Sequence, residues 1–305
     1  MDNLPFRPPL RGFAAGQTVF VSHTLVRLLG RGGLCEVWLA RDEVSGRDVA
    51  LKFVPEAISG IDDICRAACC AGALSHPRIV RVYDFLREGG MEAVSMEYVA
   101  GETLASWRSE RAAQVFQPAE LTKWVGQLCE ALEYAHTQAK ILHRDLKPAN
   151  LMVDGGGDLM VVDMGISVAV EEAISVLTIH PVVYEGRAGP MHWGPQQLMG
   201  EKPAVTDDLY SLGSVLYELL TGKPPFHGPN FMMQTVKEVS PSVTARREAL
   251  GLAGEQGAKG ELMEAIPQAW EETIAACLAK DPAERPQSAA EVWRRLGCGT
   301  DARNG

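Results

Sequence analysis

His143-Arg144-Asp145-Leu146-Lys147-Pro148-Ala149-Asn150 is followed, thirteen residues after Asn150, by Asp163-Met164-Gly165. The first stretch sets a carboxylate, an ammonium and an amide within six residues, and Asp163 adds a second carboxylate further on. Two carboxylates so spaced can do different jobs, although Asp-Met-Gly alone reads as a turn. On the N-terminal side, short β-branched runs recur at Val19–Leu29, Leu34–Ala40, Arg47–Val54, Ile79–Arg87 and Met91–Val99, punctuated by turn residues. One helix interrupts them from Ile61 to Leu74, with Ile61, Ile64, Ala68 and Ala71 on one face and Pro77 just beyond. Beyond residue 100 the period becomes helical. Leu121, Trp124/Val125, Leu128 and Leu132 recur at that spacing, as do Leu209, Leu212, Leu216 and Leu219/Leu220 before Gly222-Lys223-Pro224. Later helices are expected at Pro267–Lys280 and Ser288–Leu296, and residues 251 to 260 read as a loop. A β-rich front and a helical remainder give an α+β chain in two lobes.

Two further motifs lie in the β-rich part. Gly30-Arg31-Gly32-Gly33-Leu34-Cys35-Glu36-Val37 falls between expected strands, where glycines let backbone N–H groups close over a polyphosphate. A Gly-rich hairpin turn is the commoner meaning of such a stretch. In Val49-Ala50-Leu51-Lys52, strand alternation puts Ala50 and Lys52 on one face, a methyl and an ammonium for one ligand. A surface lysine on an edge strand would read the same way.

With the Gly-rich loop, Val-Ala-Leu-Lys, His-Arg-Asp…Asn and Asp-Met-Gly in this order and spacing, the chain resembles the eukaryotic-like (Hanks-type) Ser/Thr protein kinases, bacterial members in particular. The resemblance runs from about Thr24 to Leu296. It implies a protein-kinase-like bilobal fold, with a β-rich N-lobe bearing one main helix (about 24–99) and a mainly helical C-lobe (about 100–297). Residues 1–23 would be a loose leader, and 298–305 a tail or the start of a linker.

The resemblance also implies transfer of the ATP γ-phosphate to Ser or Thr hydroxyls of proteins, with ATP and Mg²⁺ as cofactors and autophosphorylation as a further outcome. Asp145 would be the catalytic base, Lys147 would contact the transferred group, and Lys52 the nucleotide phosphates. Asn150 and Asp163 would hold Mg²⁺, a hard cation suited to oxygen ligands. Gly30, Gly32 and Gly33 would cover the phosphates. Val37, Ala50 and Met152 would line the adenine slot, Met96 would gate its back, and Glu97 and Val99 would present hinge backbone. Downstream, Gly194-Pro195-Gln196, the helix opening at Asp208 and Asp281-Pro282-Ala283-Glu284-Arg285-Pro286 match later family motifs, with Arg285 expected to pair with Gln196.

The pattern departs from the family in places. The glutamate that usually pairs with the Lys52-type lysine aligns with Ala67, and Asp63 lies a helical turn away. Ala188-Gly189 stands where a Gly-Thr pair is usual, and His192-Trp193 is unfamiliar. Arg144 beside Asp145 implies a phosphate on the following segment, where Ser167, Ser175 and Thr178 are available. These departures motivate an alternative reading, a pseudokinase serving as a nucleotide-binding or scaffolding module.

Composition narrows the partners. The chain has 305 residues, 46% of them hydrophobic, and a formal charge of −10. That charge argues against a nonspecific nucleic-acid binder or a polybasic membrane-surface protein. No run of eighteen apolar residues would span a membrane, and MDNLPFRPPL lacks a signal core, so the cytoplasm is the expected location. The seven cysteines contain no CxxC pair and read as reduced thiols. Cys65, Cys69 and Cys70 could form a redox element, but small-hydrophobe packing is the simpler meaning.

Overall fold

The computed structural model describes residues 12–31, 35–54, 74–164, 190–252 and 264–297. They fall into two compact units. One takes in the described residues up to Ser75 together with Val80–Val99; the other takes in His76–Ile79, Ala100–Met164 and those from Pro190 on. The expected helix at 61–74 lies outside the described residues except Leu74, and with it Ala67, Asp63 and the Cys65/Cys69/Cys70 cluster. Gly32, Gly33 and residues 165–189 lie outside them too.

The first unit is an antiparallel sheet of strands β1 (Thr18–Val19), β2 (His23–Arg31), β3 (Glu36–Asp42), β4 (Arg47–Val54), β5 (Val82–Glu88) and β6 (Met91–Glu97). Their spatial order is β1-β2-β3-β4-β6-β5. Alternation along β3, β4 and β6 sends Trp38, Ala40, Val49, Leu51, Phe53 and Ala93 to one face, where they form a core with Val19, Phe20 and Leu25. Phe13 packs on that face, its ring 4.2 Å from Phe53 and 6.3 Å from Trp38.

Of residues 12–23, expected within a loose leader, Thr18, Val19 and His23 therefore join the sheet. Thr18 and Val19 pair with Thr24 and His23. Phe13, Val19 and Phe20, scattered among small and polar residues, carry no period, yet they cover a face that would otherwise meet water. The expected strand at Ile79–Arg87 also begins later, at Val82. Ile79 belongs to the second unit and forms a parallel bridge there with Val161 instead.

The second unit contains β7 (Gly101–Thr103), α1 (Leu104–Glu110), α2 (Pro118–Tyr134), β8 (Leu151–Asp154), β9 (Leu159–Val161), α3 (Pro195–Leu198) and α4 (Val205–Thr221). Beyond these come α5 (Phe231–Lys237), α6 (Val243–Ala249), α7 (Gln268–Cys277) and α8 (Ala289–Arg295). Helix α2 buries the stripe Leu121, Val125, Leu128 and Leu132. In α4 every residue from Thr206 to Thr221 is buried, so this helix is the centre of the unit. It stops at Gly222, whose φ of 79° needs no Cβ. At Gly213 a Cβ would stand 2.5 Å from Cys277 Cβ, which sets the close approach of α4 and α7. Helices α7 and α8 occupy the expected segments with slightly tighter ends, and Ser288 caps α8 through Glu291 N. Among the described residues no helix is long and apolar enough to cross a membrane.

Candidate functional site

The stretch 143–150 is held from beneath by α4. Asp208 accepts the backbone N–H groups of His143 and Arg144, both at 2.8 Å, and lies 2.7 Å from His136 Nε2. Burial by itself would raise the Asp208 carboxyl. The bond and charge of His136, with help from His143 and the Arg144 N–H, outweigh it and hold the group below the usual carboxylate range. His136 sits in a π-helical turn, Ala135–Ala139, that ends α2. No local spacing marks His136 in the sequence, since its partner lies 72 residues away.

Around this anchor the backbone is strained. Arg144 and Asp163 have φ of 64° and 62°, a left-handed conformation that non-glycine residues rarely adopt. The two N–H bonds to Asp208 hold the first of them, and Gln197 Nε2 donates to Arg144 O at 2.6 Å.

Asp145 then gathers its neighbours. Lys147 Nζ lies 2.6 Å from Asp145 Oδ2, and Asn150 Nδ2 donates to Asp145 O at 2.8 Å and to Oδ2 at 3.1 Å. Both side-chain donors fall on Oδ2, so Oδ1 is the atom that can take a hydroxyl proton. With its amide nitrogen committed, Asn150 has Oδ1 to offer as a ligand. Val162 N donates to Asn150 O at 3.0 Å, and Leu151 pairs with Val161. This hairpin of β8 and β9 brings Asp163 to the Asn150 end. Carbonyl and carboxylate oxygens there suit a hard cation such as Mg²⁺ that also takes phosphate oxygens. Met152 lies half-buried in β8, opposite Met160 and Thr103.

The remaining candidates lie in the first unit. Register puts Val37 opposite Lys52, and Ala50 opposite Met96, so these four share the sheet face away from Trp38 and Phe53. Ala50 and Lys52 are each 7% exposed and Met96 5%, so the edge-strand reading of Lys52 is wrong. Gly30 belongs to β2, paired with Val37, rather than to an open loop. Glu97 and Val99 follow at the end of β6; Glu97 N donates to Arg81 O at 2.8 Å.

The family model of the protein kinase domain matches residues 23–295. The chain is similar to serine/threonine-protein kinase PrkC of Bacillus subtilis, 30% identical over 292 residues that cover 94% of this chain and 42% of that protein. It is also similar to serine/threonine-protein kinase PknB of Mycobacterium tuberculosis, 34% identical over 281 residues, 88% of this chain and 41% of that one. The chain thus spans about two-fifths of the length of the curated relatives it matches. Among solved structures, the Mycobacterium tuberculosis PknI kinase domain matches with TM-score 0.70 and 25% identity, covering 94% of this chain and 99% of that one. A sheet unit, a helical unit and a strained loop anchored on a buried aspartate accord with that match, and the chain belongs to the protein kinase domain family.

Proposed function

We propose that this chain transfers the γ-phosphate of ATP to serine or threonine hydroxyls of a protein substrate, itself included, with Mg²⁺ as the metal. The observation that carries the reading is the triad of Asp145, Lys147 and Asn150, in which one carboxylate receives an ammonium and an amide. Phosphoryl transfer asks the protein for in-line positioning and neutralisation of charge on the phosphate oxygens, with little covalent chemistry. In this reading Asp145 orients the attacking hydroxyl and accepts its proton at Oδ1. Lys147, held by Asp145, faces the transferred group. Lys52 binds nucleotide phosphates, with Gly30, Gly32 and Gly33 over them. Val37, Ala50, Met152 and Met96 surround the base, and Glu97 and Val99 offer backbone to its edge. Bound Mg²⁺, held by Asn150 and Asp163, would offset phosphate charge. In an acidic chain these few cations have to hold a polyanion.

The test is incorporation of label from radiolabelled MgATP into the protein itself or a basic test protein. Asp145→Asn removes the proton acceptor and is expected to lower the rate at least about 100-fold. Labelling that survives Asp145→Asn refutes the assignment. ATP-dependent thermal stabilisation with no labelling favours the nucleotide-binding module suggested by Ala67 and Gly189.

A further inference from the structure

The hairpin of β8 and β9 has Asn150 and Asp163 at its open end and turns between Asp154 and Leu159 at the other. At that turn Asp158 gathers three donors. Its Oδ1 accepts from Gln127 Nε2 at 2.8 Å and lies 2.9 Å from Lys123 Nζ, while its Oδ2 lies 2.7 Å from Arg78 Nη1. These bonds from Gln127, Lys123 and Arg78 hold the carboxyl well below the usual carboxylate range. A single half-buried ion pair is worth little, but an amide, an ammonium and a guanidinium sharing one carboxylate form a network. Helix α2 grips the same turn elsewhere. Lys123 Nζ and Trp124 Nε1 donate to Gly157 O at 2.9 and 3.2 Å, and Gln127 Oε1 accepts from Leu159 N at 2.8 Å.

Arg78 holds both ends of β9. Its guanidinium meets Asp158 just before the strand, and its carbonyl accepts from Val161 N at 2.8 Å, beside the Ile79–Val161 bridge. The strand has three residues, Leu159–Val161, so its ladder with β8 is short. Two residues beyond it stands Asp163, at φ 62°. A non-glycine residue keeps such a conformation where its surroundings over-determine it. With the turn pinned at Asp158, β9 can neither slide nor tilt, and the strain at its far end is held.

We propose that Asp158 positions the Asp163 carboxylate for the metal, acting through Arg78 and β9 from the opposite end of the hairpin. The proposal rests on the reading of Asp163 and Asn150 as the metal-holding residues. Asp158 is a positioning residue, five residues before Asp163 in the sequence.

Binding of Mn²⁺ in the presence of ATP, read from the electron paramagnetic resonance signal of free Mn²⁺, tests it, with Mn²⁺ as the probe for the Mg²⁺ site. Asp158→Asn removes the charge and keeps the shape; Arg78→Met removes the guanidinium and leaves the backbone carbonyl. Each should weaken Mn²⁺ binding about fivefold, a size known for residues that touch neither ligand. The double variant should lose no more than either single one, because both act through one contact. ATP affinity in EDTA should match wild type in all three. A purely structural role would lower Tm and leave Mn²⁺ affinity unchanged. That result, additive losses, or an equal fall of ATP affinity in EDTA overturns the proposal. Should Asp158→Asn fail to fold, Arg78→Met alone upholds or overturns it by the same Mn²⁺ measurement. Wild-type protein that takes up no Mn²⁺ with ATP refutes the metal reading itself, whereas wild-type uptake that neither substitution changes refutes only the role of Asp158.

Discussion

Arg285 donates through Nη2 to Gln196 Oε1 at 2.6 Å, a neutral partner for a guanidinium with no exposed side-chain surface. Backbone oxygens do much of the rest: Ala279 O, Thr206 O and Lys280 O lie at 2.8, 3.0 and 3.1 Å. Asp207 is the nearby negative charge, 4.0 Å away. Gln196 also donates, through Nε2 to Lys280 O at 3.0 Å, a bond that a carboxylate could not make. The amide is therefore suited to a place where it must accept from a cation and donate to a carbonyl.

Gln196→Ala takes an acceptor from Arg285 and leaves Lys280 O with its bond from Arg285 alone, and is expected to cost about 2 kcal/mol, since hydrogen bonds to charged groups are the stronger ones. Thermal unfolding should show Tm lower by roughly 5 °C. Gln196→Glu gains a charge-assisted bond to Arg285 and loses the one to Lys280 O, so its stability should stay within about 1 kcal/mol of wild type. A Gln196→Ala protein that melts with wild type would contradict this account.

Asp208→Asn tests the anchor under residues 143–150. It replaces one carboxylate oxygen by a donor facing N–H groups, and breaking such a buried cluster costs about 3 kcal/mol. The pH dependence has a definite sign. The folded carboxyl lies below its ordinary 3.8, so its contribution is whole above that value and is lost as the pH falls through the depressed one. The Tm gap between wild type and Asp208→Asn should be steady at neutral pH and narrow only below about pH 4. A gap that widens in acid would refute the assignment.

Lys280 predicts the opposite end of the pH scale. Burial, aided by the neighbouring Arg285 charge, pushes its ammonium from 10.5 down to about 8, against the opposing pull of Glu238. Nζ lies 2.6 Å from Thr235 O and 4.3 Å from the Phe226 ring centroid. Below pH 8 both folded and unfolded chains carry the proton and the burial cost is present in full. Between about 8 and 10.5 the folded chain binds fewer protons, so stability rises with pH. Wild-type Tm measured against Lys280→Met should climb over that interval. A flat difference would mean that the amine is better solvated than its position implies.

Val21 is 82% exposed and sits at φ 61°, with Phe20 beside it at 49°. A β-branched residue in this conformation is strained by its own Cβ, and no burial offsets it. Val21→Gly should stabilise the protein by about 1 kcal/mol, seen as a Tm rise of roughly 3 °C. An unchanged or lower Tm would assign the turn's conformation to another cause.

The parts of the site that were legible in the sequence are those whose meaning is local. Lys147 lies two residues from Asp145, and strand alternation alone put Ala50 with Lys52. The stripe of α2 and the glycine stop of α4 needed no knowledge of their partners. Phe13 was illegible because a lone aromatic among prolines and glycines has no period. His136 was illegible because the end of a helix does not announce a bond across 72 residues.

Residue order was enough to identify the His-Arg-Asp stretch, its order relative to the lysine and glycine motifs, and the division into a strand-rich front and a helical remainder. Spacing along one chain carries that information directly. The tertiary structure alone decided that Asp208 holds His136, His143 and Arg144 together, and that Gln196 serves Arg285 and Lys280 O at once. Each of these depends on register or packing between segments far apart in sequence. Only the folded arrangement removes water from those groups and makes an unpaired charge costly.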